Sequence, residues 1–234
     1  MIYLLKKEIN GFFSTPFGFV FMGIFLLLSG LSFVTYNLLG GGGDLAGMFS
    51  LLGNLSFVVF PVLTMRLFAE ERRAGTEHLL ISSRLTIARI VIAKYLAAVF
   101  VLLVSLIVTL IYVGIIATYG YPNYGAIAAS YLGYLLLGMA MIAVCIFASS
   151  MAENQVTAAI MSFGMLFVLV MLGPLGNNIQ APGLSAGISA LAVTQRYNEF
   201  TLGIFRLGAV VYYLVYSVVA LVLTVKNIEW RRLR

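Results

Sequence analysis

Charge is scarce in this chain, and much of what there is falls within one short stretch. Arg66, Glu70, Glu71, Arg72, Arg73, Glu77 and His78 lie close together, with Gly75 and Thr76 among them and Leu79 and Leu80 just after. Carboxylates and guanidinium groups at this spacing can form ion pairs along a helix or dock on a charged partner. Gly75 can end a helix and Thr76 can cap the next one by accepting a backbone N–H, which predicts a short surface helix after the turn. From spacing alone the stretch is also what a solvated interfacial loop with Glu–Arg pairs looks like. Nucleophilic chemistry finds less support. Gly183-Leu184-Ser185-Ala186-Gly187 matches Gly-x-Ser-x-Gly, but the sole histidine, His78, is expected on the other side of the membrane, so that serine lacks a base. Cys145 is the only cysteine and sits in an apolar run, which predicts a packed core residue and neither a disulfide nor a thiol metal cluster. A phosphate loop of the Gly-x-x-x-x-Gly-Lys-Ser/Thr kind is missing, and no charge is expected at mid-span to couple ion flow.

The elements that must position this stretch follow from composition. Of 234 residues, 62% are hydrophobic and 9% charged, with a mean hydropathy of +1.06, too little polar surface to cover a water-soluble globule. The apolar residues run continuously and not at period 2, so the expected fold is all-α and membrane-integral, with backbone hydrogen bonds satisfied inside each span. Six spans are predicted: 17–39, 45–67, 92–118, 126–150, 156–175 and 207–225, separated by breaks such as Gly40 to Gly43 and Tyr121-Pro122-Asn123. The whole chain forms a single transmembrane domain with no internal repeat. Met1 to Thr15 reads as a basic helix lying in the interface and feeding span one at Pro16, with no removable signal peptide. Ser185 to Phe205 is too polar to cross alone and is expected to dip into the outer leaflet as short broken helices; Arg196, Tyr197, Glu199 and Phe200 are its site candidates. With both termini in the cytoplasm, Lys6, Lys7, Arg66, Arg72, Arg73, Arg84, Arg89, Lys94, Lys226, Arg231, Arg232 and Arg234 fall inside, twelve of the fourteen basic residues, and only Arg196 and Arg206 fall outside. The net charge of +6 flanks apolar runs and builds no separate basic domain, which favours a membrane surface over nucleic acid.

The loop after span two resembles that of the type-2 ABC exporter permease family, Phe-x-Glu-Glu-Arg-x-x-Gly-Thr-x-Glu-x-Leu-Leu followed by Gly/Ala-Lys. The match comprises Phe68, Glu70, Glu71, Arg72, Gly75, Thr76, Glu77, Leu79 and Leu80, then Ala93-Lys94. Pro61 to Arg66, and Tyr197 to Gly203 through Tyr212-Tyr213 to Trp230-Arg231-Arg232, resemble the gliding-motility-associated branch. The resemblance covers nearly the whole chain, with the loop as its specific part, and Ile81 to Arg84 departs from it where a proline is usual. It implies an inner-membrane permease that pairs with a second copy or a related permease, with two ABC ATPase subunits docked on the cytoplasmic face and an auxiliary envelope protein as a possible further partner. ATP and magnesium would then sit on the ATPase, and this chain would carry no cofactor and no catalytic residue. Thr76 to Ser83 would be the coupling helix, with Glu70, Glu71, Arg72, Gly75, Thr76, Glu77, Leu79 and Leu80 passing force between the ATPase and the spans. Ser185 to Phe205 would match the family's outer re-entrant helices. The competing reading is a membrane anchor or assembly subunit that holds a partner and moves nothing.

Overall fold

The computed structural model describes residues 2–40, 45–73, 75, 86–119, 122–178 and 192–232. Every regular element among them is a helix. In chain order these are α1 (Ile2–Ser14), α2 (Pro16–Phe33, continued by a π-turn over Val34–Leu38), α3 (Ala46–Thr64), α4 (Ala69–Arg73), α5 (Ile87–Tyr119), α6 (Tyr124–Met151), α7 (Gln155–Asn178), α8 (Val193–Thr201) and α9 (Leu207–Arg232). Six segments are long and apolar enough to cross a bilayer, and they begin in α2, α3, α5, α6, α7 and α9. The chain is an all-α, multi-pass membrane protein.

Local chemistry sets the helix boundaries. Thr15 precedes Pro16 and is extended (φ −118°, ψ 154°), because proline's ring bars its predecessor from the helical region. Pro16 itself suits the first turn of a helix, so α1 and α2 meet at a sharp corner. Asn123 caps α6 by accepting the Ala126 N–H at 3.3 Å. Inside the spans, hydroxyls return their protons to the preceding turn, as Ser56 does to Leu52 O (2.9 Å) and Thr224 to Ala220 O (2.9 Å), which removes the need for water. Two predicted spans prove longer at the basic end: α5 starts at Ile87 instead of Ile92, and α9 runs on to Arg232 instead of Val225.

α6 is the centre of the bundle. Its span is 78% buried, against 28–50% for the other five, and it packs on α3, α5, α7, α8 and α9. Tyr134 on α6 is the hub of an aromatic core, with Phe25, Phe49 and Tyr197 rings 5.7 to 6.3 Å away. Cys145 is buried in this helix, as its setting in the sequence implied. α1 lies against α5 and the start of α2, and α8 wedges between α3, α6 and α7 at the opposite end.

Candidate functional site at the basic end of the bundle

α3 ends at Thr64, three residues past Pro61, and the chain turns before α4 presents Glu70, Glu71, Arg72 and Arg73 in sequence. Successive residues of a helix point about 100° apart, so adjacent charges in α4 reach different neighbours. The Glu70 carboxylate pairs with the Arg66 guanidinium one turn back. Arg66 also donates to Thr15 Oγ1 at 2.7 Å and lies 4.7 Å over the Phe17 ring, tying the end of α3 to the α1–α2 corner.

Glu71 turns into the protein. Its Oε1 accepts from Lys94 Nζ at 2.8 Å, and the same ammonium donates to Glu8 Oε1 of α1 at 3.2 Å. The Lys94 side chain is 2% exposed, Glu8 13% and Glu71 20%. Lys94 lies seven residues into α5, and Phe68 covers it with its ring 5.2 Å from Nζ. One ammonium thus holds two carboxylates from separate helices in a place largely closed to water, where Coulombic attraction is strong and losing one partner is costly.

Arg72 faces the other way. Its Nη1 donates to the carbonyls of Ala152 (3.0 Å) and Met151 (3.4 Å) at the C-terminus of α6, and its Nη2 lies 3.9 Å from Glu153. Arg231 adds a bond to Met151 O at 3.1 Å, and Asn227 donates to Ser150 Oγ at 3.0 Å. Two guanidinium groups on the last carbonyls of α6 satisfy acceptors that the helix cannot, at the negative end of its dipole. The Phe68 N–H to Ser149 Oγ (3.3 Å) completes the attachment. Gly75 then takes φ +68°, with its N–H on Arg72 O at 3.1 Å, so the left-handed turn expected there does end the helix.

Arg73 closes α4, but its side chain is outside the described residues. Thr76, Glu77, Leu79 and Leu80, and with them the predicted coupling helix Thr76 to Ser83, also lie outside, as do His78 and Gly183 to Gly187. Glu71 is brought together with Glu8 and Lys94, and Arg72 with Asn227 and Arg231 at the end of α6, whereas Glu70 makes a separate pair. In the sequence Glu8 is one residue of a predicted interfacial helix and Lys94 falls at the margin of a predicted span, so neither stands out as part of a site. The available signal was a lone lysine in the run Ile90 to Val101, since such a charge demands a counter-ion.

At the opposite end, the described part of Ser185 to Phe205 contains α8. Tyr197 and Phe200 are buried, with Tyr197 Oη donating to Phe49 O at 2.6 Å. The approach is close enough to require glycine. A Cβ on Gly53 would fall within contact-violating distance of the Tyr197 ring, and one on Gly133 would do the same at Phe200. Gly133 is nine residues into α6, so α8 reaches about 14 Å below that helix's start. Arg196 lies 3.9 Å over the Tyr212 ring, and Glu199 accepts from Arg206 at 2.9 Å.

Comparison with protein-family models and with curated protein sequences gives no match to this chain.

Proposed function

We propose that this chain is the membrane subunit of an ATP-driven exporter of the type-2 ABC permease kind, with ATP hydrolysed on separate subunits at the basic end. The observation that carries the reading is the double brace at the root of the charged loop. Glu71 ties that root to α1 and α5 through Lys94 and Glu8, and Arg72 ties it to the end of α6, where α9 is also fixed. A displacement applied to residues 76–85 from outside would be passed to several spans at once. A subunit that only anchors a partner needs a docking face, not a stem bonded across the bundle. Glu71 therefore acts inside the chain, and contact with the ATPase falls to the residues beyond Gly75. Resemblance in the loop and the twelve-to-two division of basic residues support the same reading, with both termini cytoplasmic in an inner membrane.

Pairing with a second copy has separate support. Asn54 is exposed on α3, about 12 Å from one end of that helix and about 15 Å from the other, and has no hydrogen-bond partner among the described residues. A carboxamide at that depth is costly in lipid, and it can both donate to and accept from its own copy across a two-fold axis. A cysteine at Asn54 is expected to cross-link two copies; the native Cys145 is buried and stays silent.

Purification from native membranes tests the main reading. The chain is expected to bring down a nucleotide-binding subunit and to hydrolyse no ATP alone, and Thr76→Pro should insert normally yet lose stimulation of the ATPase. Full stimulation in that variant, or hydrolysis by the single chain, overturns the proposal. An impermeant thiol reagent should reach a cysteine at Asn123 from outside the cell and should not reach one at Arg73.

A further inference from the structure

The last two turns of α9 have two chemically different faces. Asn227, Ile228 and Arg231 turn inward, the first and last bonded to the end of α6, and this fixes the rotation of the helix. Lys226, Glu229 and Trp230 consequently point outward and are exposed. Just beyond them, an apolar groove of about 380 Å³ runs between α5 and α9, walled by Val91, Ile92, Val218, Val222 and Val225, with Lys226 and Glu229 at its end. A second depression of about 440 Å³ shares those two charged residues and is bounded by Trp230.

Lys226 and Glu229 stand three residues apart on one face, near enough to pair, yet neither forms an ion pair with the other or with any described residue. A cation and an anion, both unpaired and side by side at the mouth of an apolar groove, match a ligand that carries both charges on an apolar chain.

The geometry points to a binding site for a zwitterionic aminophospholipid. One acyl chain lies along the α5–α9 groove, the phosphate meets Lys226, and the primary ammonium donates to Glu229. Trp230, 75% exposed, sits at headgroup level as interfacial tryptophans do. The pair also sets selectivity. An anionic phosphoglycerol headgroup satisfies Lys226 but places negative charge against Glu229. A phosphocholine headgroup has no N–H to give the carboxylate.

Trp230 is the only tryptophan in the chain, so its fluorescence reports this site alone. The full chain is reconstituted in bilayers of phosphatidylcholine containing increasing fractions of one brominated lipid: phosphatidylethanolamine, phosphatidylcholine or phosphatidylglycerol. Brominated phosphatidylethanolamine is expected to reach half-maximal quenching at a several-fold lower mole fraction than either of the others. Glu229→Gln should remove the advantage over phosphatidylcholine, whereas Lys226→Gln should weaken retention of phosphatidylethanolamine and phosphatidylglycerol together. Val222→Phe, which fills the groove and removes no charge, should raise the fraction needed for every lipid. Identical curves for the three lipids would mean ordinary lipid contact and overturn the proposal. Preference for phosphatidylglycerol would overturn it equally, since Glu229 would then have no part in recognition.

Discussion

The two ends of this bundle are closed by different physics. At the basic end, Lys94 joins α1, α4 and α5 through two carboxylates, and Arg72 and Arg231 hold the end of α6. At the other end, α8 is held chiefly by fit, with Tyr197 against Gly53 and Phe200 against Gly133, and by buried hydrogen bonds from Tyr197 to Phe49 O and from Tyr213 to Val193 O. A carboxylate offers several acceptor sites, so an ammonium between two of them can change acceptor oxygen as its helices move and still hold both partners. A ring seated on a glycine has no such slack, because core packing neither compresses nor opens cheaply. The charged end is therefore built to accept small movements, and the aromatic end to hold a fixed shape.

The sharpest way to break this comparison is Lys94→Ala. It strands two partly buried carboxylates together and should cost about 3–5 kcal/mol, read as thermal unfolding of the purified protein. Adding Glu8→Gln and Glu71→Gln should recover much of the loss, which no packing defect would do. A Lys94→Ala protein as stable as the original would mean that the cluster is hydrated and holds nothing. Next comes Gly133→Val, whose side chain must displace Phe200; about 1–3 kcal/mol is expected, without any dependence on salt. Tyr197→Phe removes one hydroxyl and the bond it gives to Phe49 O, a carbonyl that keeps its own bond within α3, for about 1 kcal/mol in the same assay. Smallest is Glu199→Gln. Its partner Arg206 is 66% exposed, so the change should stay within about 0–1 kcal/mol and vanish in high salt. Equal losses from Gly133→Val and Glu199→Gln would show that the wedge is held by charge after all.

Much of this architecture was legible in the order of residues. The run of apolar segments gave six spans with boundaries a few residues short, and Pro16 and Gly75 marked turns that the backbone takes. The shortfalls at Ile87 and Arg232 arise differently: α9 continues because Asn227 and Arg231 find partners at the end of α6, and α5 starts early because Ile87 and Val91 are buried against Ile228. Phe200 belongs to a polar segment expected to dip inward, but nothing in its own neighbourhood says that Gly133, sixty-seven residues earlier, is its seat. The grouping of Glu8, Glu71 and Lys94 was equally hidden, because their sequence separations carry no periodic signal.

What the sequence determined by itself was solvent and segment. Hydrophobicity is a property of composition and run length, and a chain this apolar must satisfy its backbone within helices whatever their arrangement. Tertiary structure decided which charges meet. Glu70, Glu71 and Arg72 are consecutive and look alike in a string, but the helical rotation between them sends one to Arg66, one to Lys94 and one to the end of α6. Partnership in a folded chain depends on direction and distance, and a linear order of residue types specifies neither until the helices have packed.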